Sequence, residues 1–346
     1  MKRFEFSEIM KKLPVIFNKF KINMREDSKK YYGKCPIHSG NNPGALNLYK
    51  NGAKWICYTR GCHEKYGDNI LGFIRGVLSN NSSREYTWAD TYSFISDIME
   101  VAKDNVYISD INSIYLENNT VSTAKFSPDC LKYLYYPCQY YLERDYSPEI
   151  LNRYKIGLCI NPNKIFYNRA VFPIFNIDKD YLIGFSGRSI FNKCDVCRQY
   201  HSLGRCPTKH FKHVKWLHSK QFSRNNTLFN LWFAKDKIRE TNTVVLCEGP
   251  GDVLRLEEAG ITNSVAVFGS SITDNQLSML TKLGVMKLIL CFDNVEAGKS
   301  SCKHIINSCK QYFNLEIPHL NQYNDIGDIP LEDETFWNKI KTYAEN

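Results

Sequence analysis

Residues 243–255, T-V-V-L-C-E-G-P-G-D-V-L-R, constrain the fold more than any other stretch of this 346-residue chain. Val244, Val245, Leu246 and Cys247 are apolar without alternation, the pattern of a strand buried on both faces of a parallel sheet. The run ends on Glu248, passes through Gly249-Pro250-Gly251, and Asp252 opens an apolar-periodic helix. A carboxylate at the C-terminal tip of such a strand stands where α/β sheets place their ligands. Alone, the corner also reads as an ordinary strand–turn–helix with an exposed acid.

A second corner downstream has the same build. Leu288-Ile289-Leu290-Cys291-Phe292 ends on Asp293 and is followed by Asn294-Val295-Glu296-Ala297-Gly298-Lys299. A third loop, Asn324-Asp325-Ile326-Gly327-Asp328-Ile329, carries Asp325 and Asp328. The spacing predicts strands at 244–247, 264–268, 287–291 and 315–318, alternating with helices at 252–259, 273–283 and 297–313. Such alternation makes a small parallel α/β sheet with right-handed crossovers. Glu248, Asp252, Asp293, Asp325 and Asp328 then share one edge, and clustered carboxylates suit Mg²⁺ or Mn²⁺.

The N-terminal hundred residues carry different ligands. Residues 1–23 read as a short amphipathic helix and an extended lead, broken at Pro14. Cys35 and His38 form C-x2-H on one turn, and Cys57 and Cys62 form C-x4-C on another. Between them lies a strand pair around Leu46/Leu48 and Trp55/Ile56. Two knuckles joined by a hairpin bring four soft or borderline ligands together tetrahedrally, as in a closed structural zinc site. His63, next to Cys62, is a competing ligand, and the other reading is four buried thiols and imidazoles without metal. Thirteen cysteines, with no apolar run after the N-terminal M-K-R-F-E-F-S-E-I-M, fit reduced thiols, some on metal, in a cytoplasmic protein. No apolar stretch is long enough to span a bilayer, so no membrane partner is expected.

Charge is uneven along the chain. Net charge is +4 over residues 1–120, +11 over 121–240 and −6 over 241–346. A basic middle beside an acidic C-terminal third suggests a polyanion-binding surface next to cation-holding carboxylates. Residues 193–239 contain eleven Lys/Arg and two acids. They begin with a second cluster, Cys194, Cys197, His201 and Cys206, spaced C-x2-C-x3-H-x4-C, with His210 and His213 beyond it. Two readings stay open for this insert (192–213): a second zinc knuckle, or a disordered basic segment with incidental thiols.

Three ordered blocks resemble a known family. C-P-x-H, a strand pair, C…G-C and Gly67-Asp68-Asn69-Ile70-Leu71-Gly72-Phe73 resemble the zinc-binding domain of bacterial and phage DNA primases of the DnaG type. The resemblance implies a domain that reads single-stranded DNA, with Lys34, Lys50, Lys54, Trp55, Tyr58 and Arg60 as candidate contacts. Arg169-Ala170-Val171-Phe172-Pro173-Ile174 and Gly184-Phe185-Ser186-Gly187-Arg188, two strands taken as alternating, resemble the opening of the primase polymerase core. Lys215-Trp216-Leu217-His218-Ser219 and Phe222-Ser223-Arg224 continue it. Arg169, Arg188, Lys215 and Arg224 are then implied to meet template or nucleotide phosphates. Glu248-Gly249…Asp252 and Asp293…Ala297-Gly298 resemble a Toprim domain, except that Val295 stands where the pattern has its second Asp and Glu296 falls one residue late. In this family Glu248 and Asp293 are the implied catalytic and metal-binding residues.

The expected architecture is a mixed α+β and α/β multidomain chain: an N-terminal zinc ribbon, then a primase-type RNA polymerase core with a Toprim parallel sheet. The expected divisions are 1–105 (zinc), 106–122 (linker), 123–240 (basic subdomain) and 241–346 (Toprim). The implied function is synthesis of short RNA primers on single-stranded DNA from ribonucleoside triphosphates, with one zinc or two and Mg²⁺ or Mn²⁺. The chain stops after the Toprim block and has no P-loop. A separate replicative helicase is therefore the expected partner, and the compact layout fits a phage primase working in a bacterial cytoplasm. Two rival readings remain: a Toprim nuclease or topoisomerase-like enzyme, and a non-catalytic zinc protein on single-stranded DNA.

Overall fold

A computed structural model of the chain describes residues 5–82, 84–100, 125–202, 204, 206, 213–220, 222–293, 296–320 and 322–345. The expected linker 106–122, His210 and Val295 lie outside the described residues, as does the side chain of Glu296.

The N-terminal unit is a four-stranded antiparallel sheet, in the order β1 (Met24–Glu26), β2 (Lys30–Gly33), β3 (Leu46–Tyr49) and β4 (Trp55–Cys57). The expected hairpin is its β3–β4 half, with Leu46 opposite Cys57 and Leu48 opposite Trp55. The other half is an addition: β1 and β2 are short and half-exposed, so hydrophobic alternation does not mark them. Their turn is held by Asp27, whose Oδ1 accepts the N–H groups of Lys29 and Lys30 at 2.7 and 2.8 Å.

The N-terminal lead differs from expectation. It is two helices, Phe6–Lys11 and Leu13–Lys19, and the break falls at Lys12, while Pro14 sits in the first turn of the second. Proline is tolerated there because the first N–H groups of a helix have no intrahelical acceptor. Helix Ile70–Asn80 starts from Asn69, whose side chain accepts the N–H groups of Leu71 and Gly72. It crosses close over the preceding turn, where a Cβ on Gly72 would fall 2.3 Å from the Gly67 carbonyl oxygen. That approach leaves room for glycine alone.

Residues 125–346 build two further sheets. One is antiparallel, β5 (Gly157–Cys159), β6 (Arg169–Phe175), β7 (Leu182–Ser189) and β8 (Trp216–His218). Six of the seven residues of β6 are buried, so this inner strand does not alternate as expected. The other sheet is parallel, with β9 (Thr243–Cys247), β10 (Ser264–Ala266), β11 (Lys287–Cys291) and β12 (Asn314–Glu316) in the order β10-β9-β11-β12. All five residues of β9 and of β11 are buried, as their unbroken apolar runs require.

One hydrophobic core runs through both sheets, from Cys138 to Ala344. Asn230 ties them together. It is fully buried in a left-handed turn (φ 73°), its Oδ1 accepts the Tyr154 hydroxyl at 2.7 Å, and its Nδ2 donates to the Ser264 carbonyl at 2.9 Å. Asn230→Ala removes the side-chain bonds to both partners and puts a Cβ-only residue at positive φ. The expected loss is about 2–4 kcal/mol of unfolding free energy, read by urea denaturation.

The N-terminal unit docks where the parallel strands begin. Met286, just before β11, belongs to its core, and Asn69 Nδ2 donates to Asn314 Oδ1 at the first residue of β12 (3.1 Å). The strand ends carrying Glu248 and Asp293 lie at the opposite edge of that sheet.

Candidate functional site

In-register pairing of β9 and β11 places Cys247 opposite Cys291, so adjacent strands deliver Glu248 and Asp293 to one edge. The Asp293 backbone N–H donates to the Glu248 carboxylate. Helix Pro250–Glu258 follows at once, beginning at proline rather than at the expected residue 252. Asp252 has two tasks. Its Oδ2 accepts the Gly249 N–H at 2.9 Å, capping the helix. Its Oδ1 lies toward Gly327, where a Cβ would sit 3.7 Å from it, 3.2 Å from Asp325 Oδ1 and 3.2 Å from the Tyr146 hydroxyl. Glycine at 327 thus lets the third loop approach the first. Asp325 Oδ1 accepts the Asp328 N–H at 2.9 Å, which fixes that loop as a tight turn.

These acids line a cleft of about 1020 Å³, together with Arg144, Arg188, Lys215, His218 and Arg224 from the basic side. Residues 144–146 form part of its wall, held by a buried ion pair. Arg255 contacts Glu258 at 3.0 Å and donates to the carbonyls of Asp145 and Arg144, also at 3.0 Å. The Tyr146 ring lies 4.3 Å from the Arg255 guanidinium, and its hydroxyl donates to the Gly251 carbonyl.

Crowding of like charge shows in the acids. Burial, then the neighbouring Asp293 carboxylate, pushes Glu248 up to about 7. Burial, then Asp325, pushes Asp293 up to about 6. Asp252 and Asp325 are raised as well, each first by burial and next by a neighbouring acid. Lys215 opposes the rise at Glu248, Asp293 and Asp325.

The sign of the pH dependence follows. A carboxyl whose folded pKa lies above its unfolded value binds more protons in the native state, so stability falls as pH rises from about 4 to 7. Without divalent cation, the melting temperature should therefore be lower at pH 8 than at pH 5.5. Mg²⁺ should restore it more at pH 8, since ligation and protonation compete for the same oxygens. Differential scanning fluorimetry at both pH values checks this, and a Mg²⁺ effect confined to pH 5.5 would contradict it.

Of the basic residues implied as phosphate contacts, Arg188, Lys215 and Arg224 line the cleft and Arg169 does not. Arg169 is 8% exposed, and its guanidinium donates to the carbonyls of Gly187, Val214 and Lys215. It pins β6 to β7 and to the lead into β8. Arg144 and His218 belong to the cleft without having been singled out. His218 lies inside one of the resembling stretches, and nothing in the spacing marks either residue. Arg144 stacks 3.7 Å from the centre of the Tyr140 ring, another lining residue.

The zinc-type residues also converge. Cys35, His38, Cys57 and Cys62 place their ligand atoms within 4.8 Å of one another. His38 Nδ1 is 3.2 Å from Cys62 Sγ and 3.6 Å from Cys57 Sγ. Burial, then the adjacent thiols, pushes Cys62 up to about 12. Burial also acts upward on Cys57, but the backbone N–H groups of Cys62, Arg60 and Thr59 prevail and hold its thiol below the usual value. Three crowded sulfurs and an imidazole nitrogen fit a zinc ion, which neutralises the thiolates as it binds. His63 stands outside the set, its Nδ1 accepting the Cys57 N–H at 3.2 Å.

Cys194, Cys197, His201 and Cys206 form the other such group among the described residues. The cleft carboxylates stand further apart than either Cys/His set. Among the candidate DNA contacts, Trp55 is fully buried and belongs to the core, whereas Tyr58 is exposed. Lys50 and Lys54 pair with Glu26 and Asp68. Among the described residues no helix is long and apolar enough to cross a membrane.

Residues 245–329 match the family described as Toprim-like. The chain is 28% identical over 334 residues to the DNA primase of Rickettsia felis, covering 90% of this chain and 52% of that one. It is 26% identical over 313 residues to the DNA primase of Chlamydia pneumoniae, covering 84% and 50%. The chain thus spans about half the length of these curated relatives. A solved structure of the Aquifex aeolicus primase zinc-binding and RNA polymerase domains aligns with 98% of this chain and 83% of that one, at 18% identity and a TM-score of 0.46. The chain thus carries a Toprim-like segment and is similar to DNA primases over most of its own length.

Proposed function

We propose that this chain is a primase-type nucleotidyltransferase that joins ribonucleotides into short primers on a single-stranded DNA template. The observation carrying this reading is the two-sided cleft, with Glu248 and Asp293 on adjacent strand ends facing Arg188, Lys215 and Arg224. The guanidinium and ammonium groups receive phosphates of template and incoming nucleotide, and the aromatic wall offers base-stacking faces. Glu248, Asp293 and Asp325, with the free oxygen of Asp252, are the hard oxygen donors that would hold Mg²⁺ or Mn²⁺; Asp328 lies at the rim. When bound, such an ion supplies neutralisation of triphosphate charge during in-line displacement. Glu248, poised near neutrality, accepts the proton of an attacking 3′-hydroxyl.

The zinc-binding unit contributes template contact through exposed groups such as Tyr58. The test is incubation with single-stranded DNA, labelled ribonucleoside triphosphates and Mg²⁺ or Mn²⁺, beside Lys215→Ala. Short RNA from the wild type, reduced about 10²–10³-fold in the variant, supports the proposal, on the scale of one lost transition-state contact. DNA nicking would assign the cleft to a nuclease. Binding without either product would leave a non-catalytic DNA-binding protein.

A further inference from the structure

Between β7 and β8 the chain leaves the core. Among described residues 191–206 no side chain is buried, and Val196 at the tip is 84% exposed. A segment with no hydrophobic core of its own needs another reason to hold one conformation. Yet Cys194, Cys197, His201 and Cys206 bring their ligand atoms within 4.8 Å of one another.

The spacings resemble those around a tetrahedral ion. Zinc–sulfur bonds of about 2.3 Å set two ligand sulfurs about 3.8 Å apart. Cys194 Sγ and Cys206 Sγ are 3.9 Å apart, and Cys197 Sγ is 3.1 Å from His201 Nε2. His201 Nδ1 lies 2.7 Å from the Ser202 carbonyl oxygen. A carbonyl only accepts, so Nδ1 carries the proton and Nε2 presents its lone pair to the sulfurs, the usual arrangement for a metal-bound histidine.

The backbone is arranged to suit. The Arg198 N–H donates to the Cys194 carbonyl at 2.9 Å, and Arg198 takes a left-handed conformation (φ 60°), which closes the first pair into a tight knuckle. Cys194 N–H donates to the Gln199 carbonyl, and Lys193 bridges to Tyr200. His213 stands aside: its N–H donates to Gln199 Oε1 and its carbonyl accepts the Tyr200 N–H.

We propose that these four residues bind a second, structural zinc ion that closes the insert at the edge of the cleft. All four positions are filled by protein ligands, which leaves none for substrate. The ion holds Tyr200 in place, and the Tyr200 ring lies 5.3 Å from the guanidinium of Arg188, a cleft residue. The proposal does not rest on the polymerase reading, since a zinc count is independent of activity.

The test is metal analysis of the intact chain, purified under reducing conditions and freed of loosely bound ions. Two zinc ions per chain are expected for the wild type. Cys197→Ser and Cys62→Ser should each retain one, and the double variant none. Because the wild-type count needs no substitution, misfolding of a variant cannot produce or hide the result. One zinc per chain, lost entirely in Cys62→Ser, would overturn the proposal. So would a count of two unchanged in Cys197→Ser, or a Cys194–Cys206 disulfide found by mass in place of the second ion.

Discussion

Glu248→Gln should lower primer synthesis by roughly 10²–10³-fold, the scale of removing one well-placed electrostatic contributor from a catalytic site. The substitution keeps the shape of the side chain and removes a charge that sits against Asp293. Glu248 is pushed up to about 7 because burial and neighbouring acids disfavour its charged form. Neutralising it should therefore leave the metal-free protein at pH 8 as stable as the wild type or more so. That pairing separates loss of chemistry from loss of fold. A variant that is inactive and also melts lower would assign Glu248 a structural role. Mg²⁺ should raise the melting temperature of the wild type and have much less effect on Glu248→Gln.

Cys57→Ala has the second large effect, on a different part of the chain. Cys57 ends β4, is 1% exposed, and is one of four converging ligands. Structural zinc in small domains contributes on the order of 10 kcal/mol to folding, far more than one buried side chain. The N-terminal unit also has its own core around Trp55, Phe73 and Trp88, so part of it should persist. The expectation is loss of zinc and faster amide exchange across β1–β4 and the turns at 35–38 and 57–62. The parallel sheet should stay protected. Uniform loss of protection over both regions would show instead that the two units fold as one.

What was legible in the chain depended on burial. β9 and β11 emerge from their apolar runs almost residue for residue, because both faces are covered and the flanking Gly and acidic residues stop them. β1 and β2 escape notice for the opposite reason: half-exposed strands of three and four residues have no pattern to read. Pro14 and Pro250 mislead in the same way. Each sits in the first turn of a helix, where proline is accommodated, whereas Pro14 reads as a break and Pro250 as a turn before its helix.

The site divides along similar lines. Acids at strand ends are visible because a charge after a buried run is unusual, and the paired knuckles are visible from ligand spacing. The basic wall is harder to read. Arg169 opens β6 and Arg188 lies near the end of β7, neighbours at one end of the hairpin, yet one is consumed by three backbone carbonyls while the other lines the cleft. Only tertiary packing separates them. It also supplies Arg144, brought in by the Arg255–Glu258 pair over a sequence separation of about a hundred residues.

The central claim, template-directed ribonucleotide joining in the acidic cleft, is tested most directly by the sequence of the product. Single-stranded DNA templates of defined sequence should be offered with all four ribonucleoside triphosphates and Mg²⁺ or Mn²⁺, and any RNA sequenced. The prediction is short RNA complementary to each template, changing as the template changes and absent with Glu248→Gln. RNA unrelated to the template, or equal yield from Glu248→Gln, would contradict it.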